Sequence, residues 1–89
     1  MKIFLKKFGN ILISRQSGRE AWAAFQTQLA GFGEKESLEL DFEGVTTFSP
    51  SWGDEFLTPL VKQHGSRLIL ENTENLSVKA TLELLEQIN

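Results

Sequence analysis

The chain has 89 residues, 40% of them hydrophobic and 24% charged, the composition of one small globular domain spanning 1–89. It has no cysteine and one histidine, His64, which excludes disulfides, iron–sulfur clusters, thiolate zinc, a cysteine nucleophile and polyhistidine metal sites. The net charge of −3 sets a field that repels nucleic acid, so Lys2, Lys6, Lys7, Arg15 and Arg19 read as a solvated edge.

The chain opens on an apolar run too short for a signal peptide, and no stretch approaches the ~18–20 apolar residues of a membrane span. The expected compartment is therefore cytoplasmic, with no membrane partner. Lys2 to Phe8 reads as a strand, and Gly9-Asn10 as a hairpin turn in which glycine supplies a positive φ. Ile11 to Ser14 then returns antiparallel. Ser17-Gly18-Arg19-Glu20 has the form of a capping box. Behind it Trp22, Phe25, Leu29 and Phe32 share one helical face, with Gly31 and Gly33 as candidate stops.

Ser37 to Phe42 alternates, with Leu38, Leu40 and Phe42 on one side and Glu39 and Asp41 on a wetter one. Glu43-Gly44 turns the chain, and Val45 to Phe48 leads into a second helix ending near His64, with Gly65 as its stop. That helix is expected to bury Phe56, Leu57, Leu60 and Val61, and to kink or break near Thr58 because Pro59 lies inside it. Arg67 to Glu71 alternates again, with Leu68 and Leu70 inward. Asn72 to Asn75 is cap material for a last helix that buries Val78, Leu82, Leu85 and Ile88. The order β-β-α-β-α-β-α predicts an α/β fold: a mixed four-stranded sheet with three helices on one face.

Catalytic constellations fail one by one. His64 and the serines at Ser49 and Ser51 stand at opposite ends of one helix, roughly 18 Å apart at ~1.5 Å per residue, which removes a Ser-His-Asp triad. The glycines form neither a P-loop nor a dinucleotide fingerprint. Asp54 and Glu55 in a first helical turn satisfy the macrodipole without any chemistry. The chain reads as a non-enzyme with no cofactor.

The segment 43–53 carries Thr46, Thr47, Ser49 and Ser51 ahead of that helix. Ser51-Trp52-Gly53-Asp54 has the form of an N-cap, and Ser49 before Pro50 is a competing one. Trp52 in a first turn need not be buried, and an exposed tryptophan would mark a contact surface.

At these residues the sequence resembles a known family. Leu38-Glu39-Leu40-Asp41-Phe42-Glu43-Gly44-Val45 followed by Ser49-Pro50-Ser51-Trp52-Gly53 looks like a STAS domain, the fold of bacterial anti-sigma factor antagonists, and most like its short branch of unknown function. The resemblance implies that Ser51 is the phosphoacceptor, with Gly53 as the motif glycine, and Ser49 is the second candidate for the phosphate. Pro50 and Trp52 replace the motif's Asp and second Ser, and the family's last strand is missing. It also implies a protein partner, an anti-sigma protein or a histidine-kinase-type ATPase serine kinase.

Three readings follow. In the first, a regulatory module presents residues 46–56 to a partner through Thr47, Ser49, Ser51, Trp52, Gly53, Asp54 and Glu55, switched by phosphate on Ser51. In the second, the same helix N-terminus holds a small anion or nucleotide, which the lack of Lys or Arg between Glu36 and Val61 disfavours. In the third, Ser51 is only a cap and the domain forms a homodimer through its open sheet face.

Overall fold

In a computed structural model that describes residues 1–31 and 36–88, the alternating Leu38-Glu39-Leu40-Asp41 forms the middle of a parallel sheet. Strand β3 (Leu38–Asp41) lies between β1 (Lys2–Phe4) and β5 (Leu68–Glu71). The register sets Ile3 beside Leu40 and Leu40 beside Leu70, and likewise Lys2 beside Glu39 and Glu39 beside Ile69. One face thus presents Ile3, Leu38 and Leu40 to the core, where all three are buried. The other carries Lys2, Phe4, Glu39, Asp41, Ile69 and Glu71. A strand returning parallel needs a long crossover, and helices α1 (Arg15–Leu29) and α2 (Pro50–His64) lie within those crossovers.

The expected hairpin is not formed. Leu5 and Phe8 stand three residues apart, the repeat of a 3-10 turn rather than a strand, and Leu5–Phe8 is such a turn. It buries Leu5 and rests Phe8 on Phe56, 5.4 Å between ring centres. Gly9 closes it at φ 127°, a conformation that favours glycine. Having turned away from β1, the chain forms β2 (Ile11–Leu12), which pairs parallel with β4 (Thr47–Phe48). The single mixed four-stranded sheet is therefore replaced by two small parallel ones.

All three helices are present, with shifted details. Ser14, not Ser17, caps α1: its Oγ accepts the Ser17 N–H at 3.0 Å. Ala21 and Phe25 are buried and Trp22 and Leu29 are packed against the core; Phe32 and Gly33 lie outside the described residues. The helix ends at Leu29, and Gly31 has no positive φ. Helix α2 runs unbroken through Pro59. Buried Phe56, Leu57 and Leu60 anchor both sides of the proline, so packing overrides the missing hydrogen bond. Val61 is exposed instead of buried. Gly65 keeps a right-handed conformation and continues into a 3-10 turn, Gly65–Arg67. Asn75 Oδ1 accepts the N–H groups of Ser77 and Val78 at 2.8 and 3.2 Å, capping α3 (Leu76–Ile88). Val78 and Leu85 are buried and Leu82 packs beside them; the Ile88 side chain lies outside the described residues.

Candidate functional site

Pro50 favours the first helical position and Ser49 the cap before it, and α2 starts in that way. Ser49 Oγ accepts the Trp52 N–H at 3.3 Å and donates to the Ile13 carbonyl at 2.7 Å. The Ser49 N–H meanwhile reaches the Leu12 carbonyl at 2.9 Å. One serine therefore stitches the start of α2 to the residues that precede α1. The two helices leave this point in the same direction, Gly18 against Trp52 and then Phe25 stacked on Phe56 at 5.4 Å.

The segment ahead of α2 is held from two sides. Asn10 accepts from the backbone and hydroxyl of Thr46 at 2.8 and 3.0 Å. From α3, Ser77 and Thr81 hydroxyls donate to the Phe48 carbonyl at 3.1 and 2.6 Å, and Asn75 donates to Thr46 O at 3.2 Å. The sequence reading took Asn75 only as cap material and missed Ser77 and Thr81. Ser77 and Thr81 stand four apart beside the apolar stripe, which is the available signal that they point inward.

Of the residues expected to meet a partner, Ser49 is engaged as the cap of α2, and the other six separate into three groups. Trp52 and Gly53 are buried, which corrects their assignment as contact residues. The Trp52 indole stacks on Phe56 at 4.9 Å and donates to Ser17 Oγ at 3.2 Å. A Cβ on Gly53 would lie 2.8 Å from Leu85 Cδ1, so the motif glycine is where α2 meets α3. Asp54 and Glu55 are partly exposed but engaged: Arg15 lies 3.0 Å from Asp54 and 3.1 Å from Glu55, with Arg19 3.4 Å from Glu55. The Arg15 guanidinium holds both carboxyls below their usual range. Two cations from α1 thereby balance carboxylates that, along the chain, have no Lys or Arg near them.

Thr47 and Ser51 remain. Thr47 is exposed on β4, and Ser51 is half-buried in the first turn of α2. Among the described residues the Ser51 hydroxyl makes no hydrogen bond, in contrast to Ser49. Ser51, Asp54 and Glu55 are three and four apart, so they share one helix face. His64 stands at the far end of α2, its Nδ1 2.7 Å from the Arg67 guanidinium. Among the described residues no cluster of His, Cys, Asp or Glu could hold a metal ion, and no helix is long and apolar enough to cross a membrane.

A second polar cluster was not foreseen. Asp41, expected on the wetter face, is 1% exposed. Its Oδ1 accepts from Asn72 Nδ2 and the Glu43 N–H, both at 2.8 Å, and its Oδ2 lies 3.4 Å from Lys2 Nζ. The Asn72 hydrogen bond, followed by those from Glu43 and Lys2, holds the carboxyl below the usual range. Asn72 adopts φ 55°, left-handed, a conformation asparagine tolerates.

A family model described as a STAS-like domain of unknown function (DUF4325) matches residues 25–78, more than half the chain. The match runs from within α1 to the start of α3 and contains the whole of α2. No curated protein and no solved structure matches the chain.

Proposed function

The chain belongs to the family of STAS-like domains of unknown function, and from that premise we propose a non-enzymatic regulatory module controlled at Ser51. Its contact surface is Thr47, Ser51 and the exposed edges of Asp54 and Glu55, at the start of α2. By the resemblance to anti-sigma factor antagonists, the partner is an anti-sigma protein or an ATPase-type serine kinase of a bacterial cytoplasm. The observation that carries the reading is the division between two serines. Ser49 uses its hydroxyl in both directions to fasten α2, whereas the Ser51 hydroxyl has no hydrogen-bond partner among the described residues and is partly open to solvent.

The electrostatics of that face make phosphate an effective switch. Unmodified, it is balanced: Arg15 and Arg19 face Asp54 and Glu55. A phosphoserine adds about −1.5 to −2 charge, which the helix N-terminus tolerates. On the shared face, however, it competes with Asp54 and Glu55 for Arg15. The fold is kept and the surface offered to a partner becomes anionic. A small anionic ligand would have to displace the same two carboxylates from the same guanidiniums, which makes it the weaker alternative.

The test is intact-mass spectrometry with peptide mapping on protein isolated from its native cell. Tryptic peptide 36–62 holds both Ser49 and Ser51, and fragment ions separate them. One phosphate on Ser51 is the expected result. A peptide unmodified in every growth condition, or phosphate on Ser49 alone, rejects the switch.

A further inference from the structure

We propose that the outer edge of β5 is a dimerisation edge, where a second copy of this chain pairs antiparallel in a register centred on Ile69. β5 ends the sheet order β1-β3-β5, and among the described residues no strand pairs with its far side. Natural edges are commonly blunted by lysine or proline, and Leu68-Ile69-Leu70-Glu71 contains neither. Ile69 and Leu70 are 46% and 38% exposed, on opposite faces of the strand. Beside Leu70, an apolar groove of about 490 Å³ opens between α2 and α3, lined by Leu57, Val61, Leu82 and Leu85.

The backbone limits how a strand can be added. The Glu71 carbonyl accepts from the Phe42 N–H at 3.0 Å, so the polar groups of Glu71 and Ile69 point to β3. Those of Leu68 and Leu70 therefore point outward. A two-fold antiparallel partner must set its own Leu68 and Leu70 against them, either each on itself or one on the other. Setting Leu68 against Leu70 centres the axis on Ile69 and brings Arg67, the last residue of the 3-10 turn before β5 and 2.7 Å from His64 Nδ1, beside Glu71 of the second copy, twice by symmetry. Opposite charges in direct cross-strand pairs are favourable. The run Arg67-Leu68-Ile69-Leu70-Glu71 is thus complementary to its own reverse, as an isologous interface requires. Glu71 Oε1 itself is buried, 3.7 Å from Lys2 Nζ, and accepts no hydrogen bond, but the side chain as a whole is 35% exposed, so a donor from the second copy meets the carboxylate from its open side. Leu68 of the second copy, opposite Leu70, is the side chain that reaches the groove. This self-complementarity selects a second copy over an unrelated strand, and it is independent of Ser51.

The test is sedimentation of the whole chain from micromolar to millimolar concentration. The expected mass rises from 10.0 kDa toward about twice that value. Ile69→Lys, at an exposed position next to Glu39 in its own sheet, keeps its circular dichroism and stays monomeric. Arg67→Glu and Glu71→Arg each set like charges opposite and weaken association about tenfold. An equimolar mixture of those two variants restores every attraction and recovers the dimer. Three results overturn the proposal: a wild type monomeric throughout, even if it captures a foreign strand; a dimer that survives Ile69→Lys; or charge variants that do not rescue each other.

Discussion

Gly18 and Gly53 set how closely α2 meets its neighbours. In an exposed helix, Gly→Ala stabilises by about 0.4–1 kcal/mol. A Cβ on Gly18, however, would sit 2.7 Å from the Trp52 carbonyl oxygen and 3.0 Å from Trp52 Cα, backbone atoms that cannot rotate aside. Gly18→Ala is expected to destabilise by about 1–3 kcal/mol through overpacking, measured as a lower urea midpoint. Gly53→Ala meets the tip of Leu85 first, which can swing, so its loss should be the smaller. A raised midpoint for Gly18→Ala would mean that the helices cross farther apart. Trp52 shows how such packing was within reach of the sequence: residues 52, 56 and 60 form an i, i+4 series, so Trp52 lies on the buried stripe already assigned to Phe56 and Leu60. Asp41 was not legible, because a solvated carboxylate and a buried one look alike on an alternating strand. What distinguishes them is Asn72, 31 residues away.

At the scale of elements, the capping chemistry of α2 decides which serine is structural. Pro50 at the first helical position already favoured Ser49 as the cap, while Ser51 through Asp54 offered a rival box one step later. The contact that separates them, Ser49 to the Ile13 carbonyl, joins residues 36 apart and cannot be read from local spacing. Ser49→Ala should cost about 1–2 kcal/mol, toward the upper part of the range for lost caps, because the Ile13 carbonyl also loses its donor. Ser51→Ala should change stability by less than about 0.5 kcal/mol. Chemical denaturation of the two variants side by side measures both; equal losses would make Ser51 a second structural residue. The β1–β2 hairpin was misread for a related reason. Gly9-Asn10 has turn chemistry, but the three-residue spacing of Leu5 and Phe8 had already ended the strand.

For the whole molecule, helix number, helix order and the inward face of β3 were legible, since they follow from periodicity, whereas Leu70 on the edge strand β5, expected inward, is 38% exposed. Strand pairing was not legible, since β2–β4 rests on two residues from each strand and β1–β3 on partners far apart in the chain. Asp41 joins those distant parts: Lys2 on β1, the Glu43 turn and Asn72 beyond β5 converge on one carboxylate. Its pKa, and those of Asp54 and Glu55, are lowered in the folded state. A lowered folded value means that the unfolded chain binds protons more readily. The stabilisation is then complete above the ordinary values, 3.8 for Asp and 4.5 for Glu, and is lost as pH falls through the lower folded ones. The midpoint of urea unfolding should therefore be level from pH 7 to about 5.5 and then drop steadily toward pH 3. Asp41→Asn keeps the shape of the side chain but removes its charge. At pH 7 it should cost about 1.5–3 kcal/mol, the worth of hydrogen bonds to a charged group. Its acid limb should be shallower, because one of the three carboxylates no longer titrates. If the variant and the wild type lose stability along parallel curves, Asp41 does not hold the sheet through its charge, and the acid sensitivity belongs to Asp54 and Glu55 at the start of α2.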